Sequence, residues 1–124
     1  MARILLVDDD PILRAALARF LVSQGHAVVE QGDGEAAIQA YREQPPDLVL
    51  TDAYMPKVDG IETALRLRSE FPDAKIVVMS GGGFRHKTDV LHLATNAGAI
   101  ATISKPIEFD DLAKLLKEVL GTPG

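Results

Sequence analysis

Five short apolar runs, rich in β-branched residues and each followed by a stretch with helical spacing, restrict the fold of this chain more than any other feature. The runs lie at residues 4–7, 27–29, 48–50, 76–79 and 99–103. The final helical segment is the plainest, because Leu112, Leu115, Leu116, Val119 and Leu120 follow the spacing of a helix that buries one stripe. The first is nearly as clear. Asp10 is placed to cap it and Pro11 occupies a position where a missing N–H costs nothing. Leu13, Ala16, Leu17, Phe20 and Leu21 line one side until Gly25 stops it. A turn at residues 31–34 precedes a further periodic stretch around Ala37, Ala40 and Tyr41, which Pro45 and Pro46 terminate. Near-continuous apolar strands alternating with helices predict a parallel sheet covered on both faces by right-handed crossovers, a doubly wound α/β domain.

A chain of 124 residues is long enough for one core that buries roughly two thirds of its unfolded surface, so a single domain over residues 1–124 is expected. No apolar run approaches the length of a membrane span and no secretory signal follows Met1, which predicts a cytoplasmic protein without membrane contact. The absence of cysteine removes disulfide, thiolate and zinc-thiolate chemistry. A formal net charge of -5 argues against nucleic-acid binding by this domain alone, since that requires a basic face.

Ligands of doubly wound sheets bind beyond the carboxyl ends of the strands, and the residues there form a chemical set. Run one leads into Asp8 and Asp9, run three into Asp52, run four into Ser80, and run five into Ser104, Lys105 and Pro106. Crowded carboxylates must gain a proton or a cation. With no cysteine and no histidine at these ends, the cation that fits is hard and oxygen-seeking, such as Mg²⁺. Such a site combines a bridging metal, an ammonium, a hydroxyl donor and a carboxylate able to attack phosphorus. Asp52 is then the candidate phosphoryl acceptor.

These residues resemble the receiver domain of two-component response regulators, a family that includes the single-domain chemotaxis type. The resemblance runs over essentially the whole chain. It is carried by ILLVDDDP at 4–11, PDLVLTDAYMPKVDG at 46–60, IVVMSG at 76–81, GA at 98–99 and SKP at 104–106. It implies a flavodoxin-like sheet of five parallel strands in the order 2-1-3-4-5. It also implies that a histidine kinase or histidine phosphotransfer protein donates a phosphoryl group to Asp52. Asp9 would be a direct Mg²⁺ ligand, Asp8 one acting mainly through water, and the Tyr54 main-chain carbonyl a further ligand. Ser80 would be the switch hydroxyl and Lys105 the lysine that binds the phosphoryl group, with a cis bond to Pro106. Pro56 and Gly60 would shape the loop after the acceptor strand.

Blander roles compete for the same residues. Asp8, Asp9 and Asp10 can be helix N-terminal acids, Lys105 a solvated loop residue, and Ser80 a turn former. The glycines at 81–83 lack the Gly-Lys-Ser/Thr of a phosphate-binding P-loop, and the three histidines lack metal-ligand spacing. Two other functions remain at this point: a receiver-like module that works without phosphorylation, and a Mg²⁺-dependent aspartyl phosphohydrolase, which Asp8 and Asp10 fit only formally. Three positions depart from the family. Thr102 replaces an aromatic whose rotation reports phosphorylation, residues 81–87 make the loop after run four glycine-rich, and the bulky Tyr54 lies two residues beyond the acceptor. From these we expect slow dephosphorylation, switching through residues 81–95 rather than residue 102, and a partner surface on the fourth helix, fifth strand and fifth helix, edged by Phe84, Arg85 and His86. With the chain ending at Gly124, two expectations stand side by side: the domain acts alone by binding a partner protein, or an effector domain has been cut away.

Overall fold

A computed structural model describes residues 2–53, 59–80 and 87–121, with side chains from residue 92 onward in the last stretch. Tyr54, Pro56 and residues 81–86 lie outside the described residues. Strands and helices alternate as β1 (Arg3–Val7), α1 (Pro11–Ser23), β2 (Ala27–Gln31), α2 (Gly34–Glu43), β3 (Leu48–Asp52), α3 (Gly60–Glu70), β4 (Ile76–Ser80), α4 (Lys87–Asn96), β5 (Ala101–Ser104) and α5 (Phe109–Leu120). The strands form one parallel sheet in the order β2-β1-β3-β4-β5, so the order reverses beside β1 and all carboxyl ends share one edge.

Alternation along the strands divides the core in two. Ile4, Leu6, Leu48, Leu50, Val77 and Met79 point to one face, where Leu17 and Leu21 of α1 and Leu112 and Leu116 of α5 cover them. Leu5, Val7, Val49, Ile76 and Val78 point to the other, against Ala37, Ile38 and Tyr41 of α2, Ala64 and Leu67 of α3 and Ala94 of α4. Because β1, β3 and β4 are sandwiched on both faces, they read as unbroken apolar runs. The edge strands β2 and β5 are only partly buried.

Local signals account for the helix ends. Asp10 accepts hydrogen bonds from the Ile12 and Leu13 amides at 3.0 and 3.2 Å, and Pro11 opens α1. Gly25 adopts a φ of 92°, the left-handed turn that returns the chain to β2. Two expectations shift. In α1 the buried stripe is rotated, so Ala18 is buried and Ala16 exposed. The fifth strand begins at Ala101 rather than residue 99, because the Ala99 amide bonds the Ala94 carbonyl at 3.0 Å and closes the end of α4 beyond Gly98, whose φ is 101°.

Candidate functional site

At the carboxyl edge, Asp8 follows β1 directly, Asp52 is the last residue of β3, Ser80 the last of β4, and Lys105 follows β5. Asp8 is fully buried and Asp52 and Ser80 nearly so, whereas Asp9 is exposed. One carboxylate oxygen from each of Asp8, Asp9 and Asp52 lies within 4.8 Å of the others. Lys105 reaches into this cluster: its Nζ donates to Asp52 Oδ2 at 3.0 Å and to Asp8 Oδ2 at 3.2 Å. Burial alone lowers the Lys105 pKa, but hydrogen bonding and attraction to Asp52, and then to Asp8, outweigh it and raise the pKa above its ordinary value. The lysine is therefore held charged where three acids meet.

The backbone fixes this arrangement. The second Asp8 oxygen accepts the Asp10 amide at 2.9 Å, so a single residue serves both the cluster and the start of α1. The Lys105 amide donates to the Ser80 carbonyl at 2.7 Å, joining the ends of β4 and β5, and the bond from Lys105 to Pro106 is cis. Beneath Asp52 sits Gly60. Its amide donates to the Ala53 carbonyl at 2.9 Å, and a Cβ built on it would stand 1.8 Å from the Asp52 carbonyl oxygen, so only glycine permits α3 to approach the acceptor strand this closely. Thr102 lies in register with Val78 on the side of β5 away from Ala101 and Ile103, and is half-buried.

Sequence reasoning thus located Asp8, Asp9, Asp52, Ser80, Lys105, Gly60 and Pro106 at one edge. It missed Arg14, whose Nη1 donates to the Asp8 carbonyl at 2.7 Å while its Nε pairs with Glu30 on β2 at 3.2 Å. No local pattern couples residue 14 to residue 30; the strand order does. A cavity of about 510 Å³ opens at the opposite end of the sheet beside His26, Asp47 and Lys75. There Asp47 accepts from the Arg3 amide and Lys75 donates to the Val119 carbonyl.

The family model of the response regulator receiver domain matches residues 4–117. The chain belongs to this family. As a receiver it is a signalling domain of two-component systems. The transcriptional regulatory protein PdtaR of Mycobacterium tuberculosis (strain CDC 1551 / Oshkosh) is 37% identical over 111 residues, which make up 89% of this chain and 52% of PdtaR. The transcriptional activator protein ExaE of Pseudomonas putida is 38% identical over 104 residues, 82% of this chain and 47% of ExaE. The receiver spans about half the length of these relatives. Among solved structures, the response regulator TrrA of Thermotoga maritima, in complex with Mg²⁺ and BeF, superposes with a TM-score of 0.85 at 32% identity, covering 97% of this chain and all of that one. The receiver domain of NtrX from Brucella abortus gives 0.87 at 28% identity, over 97% of this chain and 99% of that one. Both share the flavodoxin-like fold described above. Among the described residues, no helix is long and apolar enough to cross a membrane.

Proposed function

We propose that Asp52 accepts a phosphoryl group from a phosphohistidine of a histidine kinase or histidine phosphotransfer protein, and that the change switches binding to a downstream protein. The observation that carries this reading is Lys105, whose ammonium bonds both Asp52 and Asp8 within the three-carboxylate cluster. A structural salt bridge needs one acid, and three converging acids with one lysine leave an excess of negative charge that a hard divalent cation would neutralise.

The donor set fits Mg²⁺, with Asp8, Asp9 and Asp52 as the carboxylates that would hold it, joined by the Tyr54 carbonyl from outside the described residues. When bound, the cation supplies neutralising charge for the transferring oxygens. The chain supplies the rest. A carboxylate oxygen of Asp52 attacks phosphorus. A new O–P bond forms as the N–P bond of the donor breaks, and the electron pair leaves with the imidazole. Lys105 exchanges its bond to Asp52 for one to a phosphoryl oxygen, and the Ser80 hydroxyl donates to another. Little covalent chemistry is asked of the protein beyond placement. We place the protein in the cytoplasm as one receiver domain, with its downstream partner on the face of α4, β5 and α5. It would then catalyse its own phosphorylation, and its dephosphorylation slowly.

Incubation with acetyl phosphate and Mg²⁺ followed by intact mass measurement tests this. The parent should gain one phosphoryl group and Asp52→Asn none. An unmodified parent would favour a phosphorylation-independent module, and rapid turnover of unrelated phosphoesters a phosphohydrolase; either result sinks the proposal.

A further inference from the structure

We infer that Arg14 is a positioning residue for the metal-binding acids: it fixes the peptide that joins Asp8 to Asp9 and so sets the affinity of the site for Mg²⁺. The inference rests on the reading of the acidic edge given above. Asp8 and Asp9 are adjacent yet differ in surroundings. The Asp8 carboxylate is buried and held by the Asp10 amide and Lys105. Asp9 is exposed, so its aim at the cluster depends on the backbone that carries it.

That backbone is gripped from β2. The Asp8 amide donates to the Gln31 carbonyl at 3.1 Å. On its other side the Asp8 carbonyl, which belongs to the peptide shared with Asp9, accepts from Arg14 Nη1 at 2.7 Å. The guanidinium is itself oriented by Glu30, which takes the Nε hydrogen at 3.2 Å. It packs beside Gly32, where a Cβ would stand 3.1 Å from Nη1, a tight contact that would press on the guanidinium. A planar guanidinium can donate from Nε and Nη1 in fixed relative directions, which a lysine ammonium does not reproduce. Removing a partner that orients metal ligands commonly costs ten- to a hundredfold in affinity.

The sign of the effect separates positioning from simple charge. Arg14 is a cation close to a cation site, so by electrostatics alone its removal should tighten Mg²⁺ binding and its replacement by lysine should change nothing. Positioning requires the reverse. Calorimetric titration of MgCl₂ into the whole chain should show both Arg14→Lys and Arg14→Ala binding roughly tenfold more weakly than the parent, the low end of the range for such partners. Melting temperatures of the metal-free proteins serve as the control. A dissociation constant within about twofold of the parent for Arg14→Lys, or tighter binding by Arg14→Ala, overturns the inference, as does a fall in melting temperature with affinity unchanged, which would make Arg14 merely structural. Asp9→Asn distinguishes the two levels of argument. If it abolishes binding while Arg14→Lys leaves it intact, the acidic site stands and the role of Arg14 falls. If the parent itself binds no Mg²⁺, both fall.

Discussion

Among single residues, the three acids are unequal, and this decides which substitution relieves the site. Asp52 and Asp8 share Lys105, whereas Asp9 takes part in neither ion pair of that lysine. Without metal, Asp9 contributes repulsion with the least compensation. Asp9→Asn should raise the melting temperature of the metal-free protein by about 3–5 °C, corresponding to ~1 kcal/mol for a domain of this size. Asp52→Asn should raise it less, since the same change removes a partner of Lys105, and thermal scans with EDTA order the two. A larger rise for Asp52→Asn would contradict this division of charge. Lys105 gives a prediction at the other end of the pH scale. Its pKa is raised on folding, so the folded state holds this proton more tightly than the unfolded chain. The associated stability is fully present below the ordinary lysine pKa and is lost as pH rises through the higher folded value. Urea unfolding followed from about pH 9 to about pH 11.5 should show a loss that Lys105→Met lacks; parallel curves would remove the lysine from the ledger of stabilising groups. Charged types at strand ends were legible in the sequence because burial of a carboxylate needs a reason. Arg14 was not, because its partners come from the preceding turn and a neighbouring strand.

Among elements, every strand end was read to within two residues, and the differences have local causes. Hydrophobic periodicity marks burial, and Ala99 is indeed packed against the α2–α3–α4 side of the core; its amide, however, completes α4 instead of pairing with β4. Apolarity identifies the segment, while hydrogen-bond direction sets the boundary. The rotated stripe of α1 arises likewise, since alanine is small enough to suit either side of a helix, and Ala16 and Ala18 are told apart only by where α1 crosses the sheet. Gly60 is the element-scale feature with the sharpest consequence. A methyl group there would overlap the Asp52 carbonyl, which belongs to β3 backbone and has no flexible end to swing away, so α3 or the end of β3 must move. Gly60→Ala should cost about 1–3 kcal/mol in denaturant unfolding and should also lower the rate of phosphorylation by acetyl phosphate, because the displaced strand end carries the acceptor. Full stability in that variant would refute the close approach of α3.

Across the whole molecule, the two-sided core holds the middle of the sheet while the functional residues sit where the strands run out. Interior strands β1, β3 and β4 are locked between helix layers, and β5 is an edge strand with a half-buried face. On the proposed reading, a phosphoryl group on Asp52 would bring roughly -1.5 to -2 charges and three strong acceptors to the edge, where Lys105 and Ser80 would answer it. Their backbones are joined by the 2.7 Å bond from the Lys105 amide to the Ser80 carbonyl, so the ends of β4 and β5 should shift together. Thr102, on β5, is too small to report that shift as a rotating ring would. The chain after Ser80 begins with three glycines, which accept new backbone angles at little cost. We therefore expect the response to pass into residues 81–95 and the amino-terminal part of α4, and to leave α1, α2 and the strand centres as they were. Amide exchange with Mg²⁺ alone and with Mg²⁺ plus beryllium fluoride measures it: protection should change in residues 81–95 and around 104–107, and stay constant in β1 and β3. If residues 81–95 exchange identically in both states while calorimetry shows the fluoride complex formed, the switch lies elsewhere. A change confined to α1 would then direct attention to that helix instead of the α4–β5–α5 face.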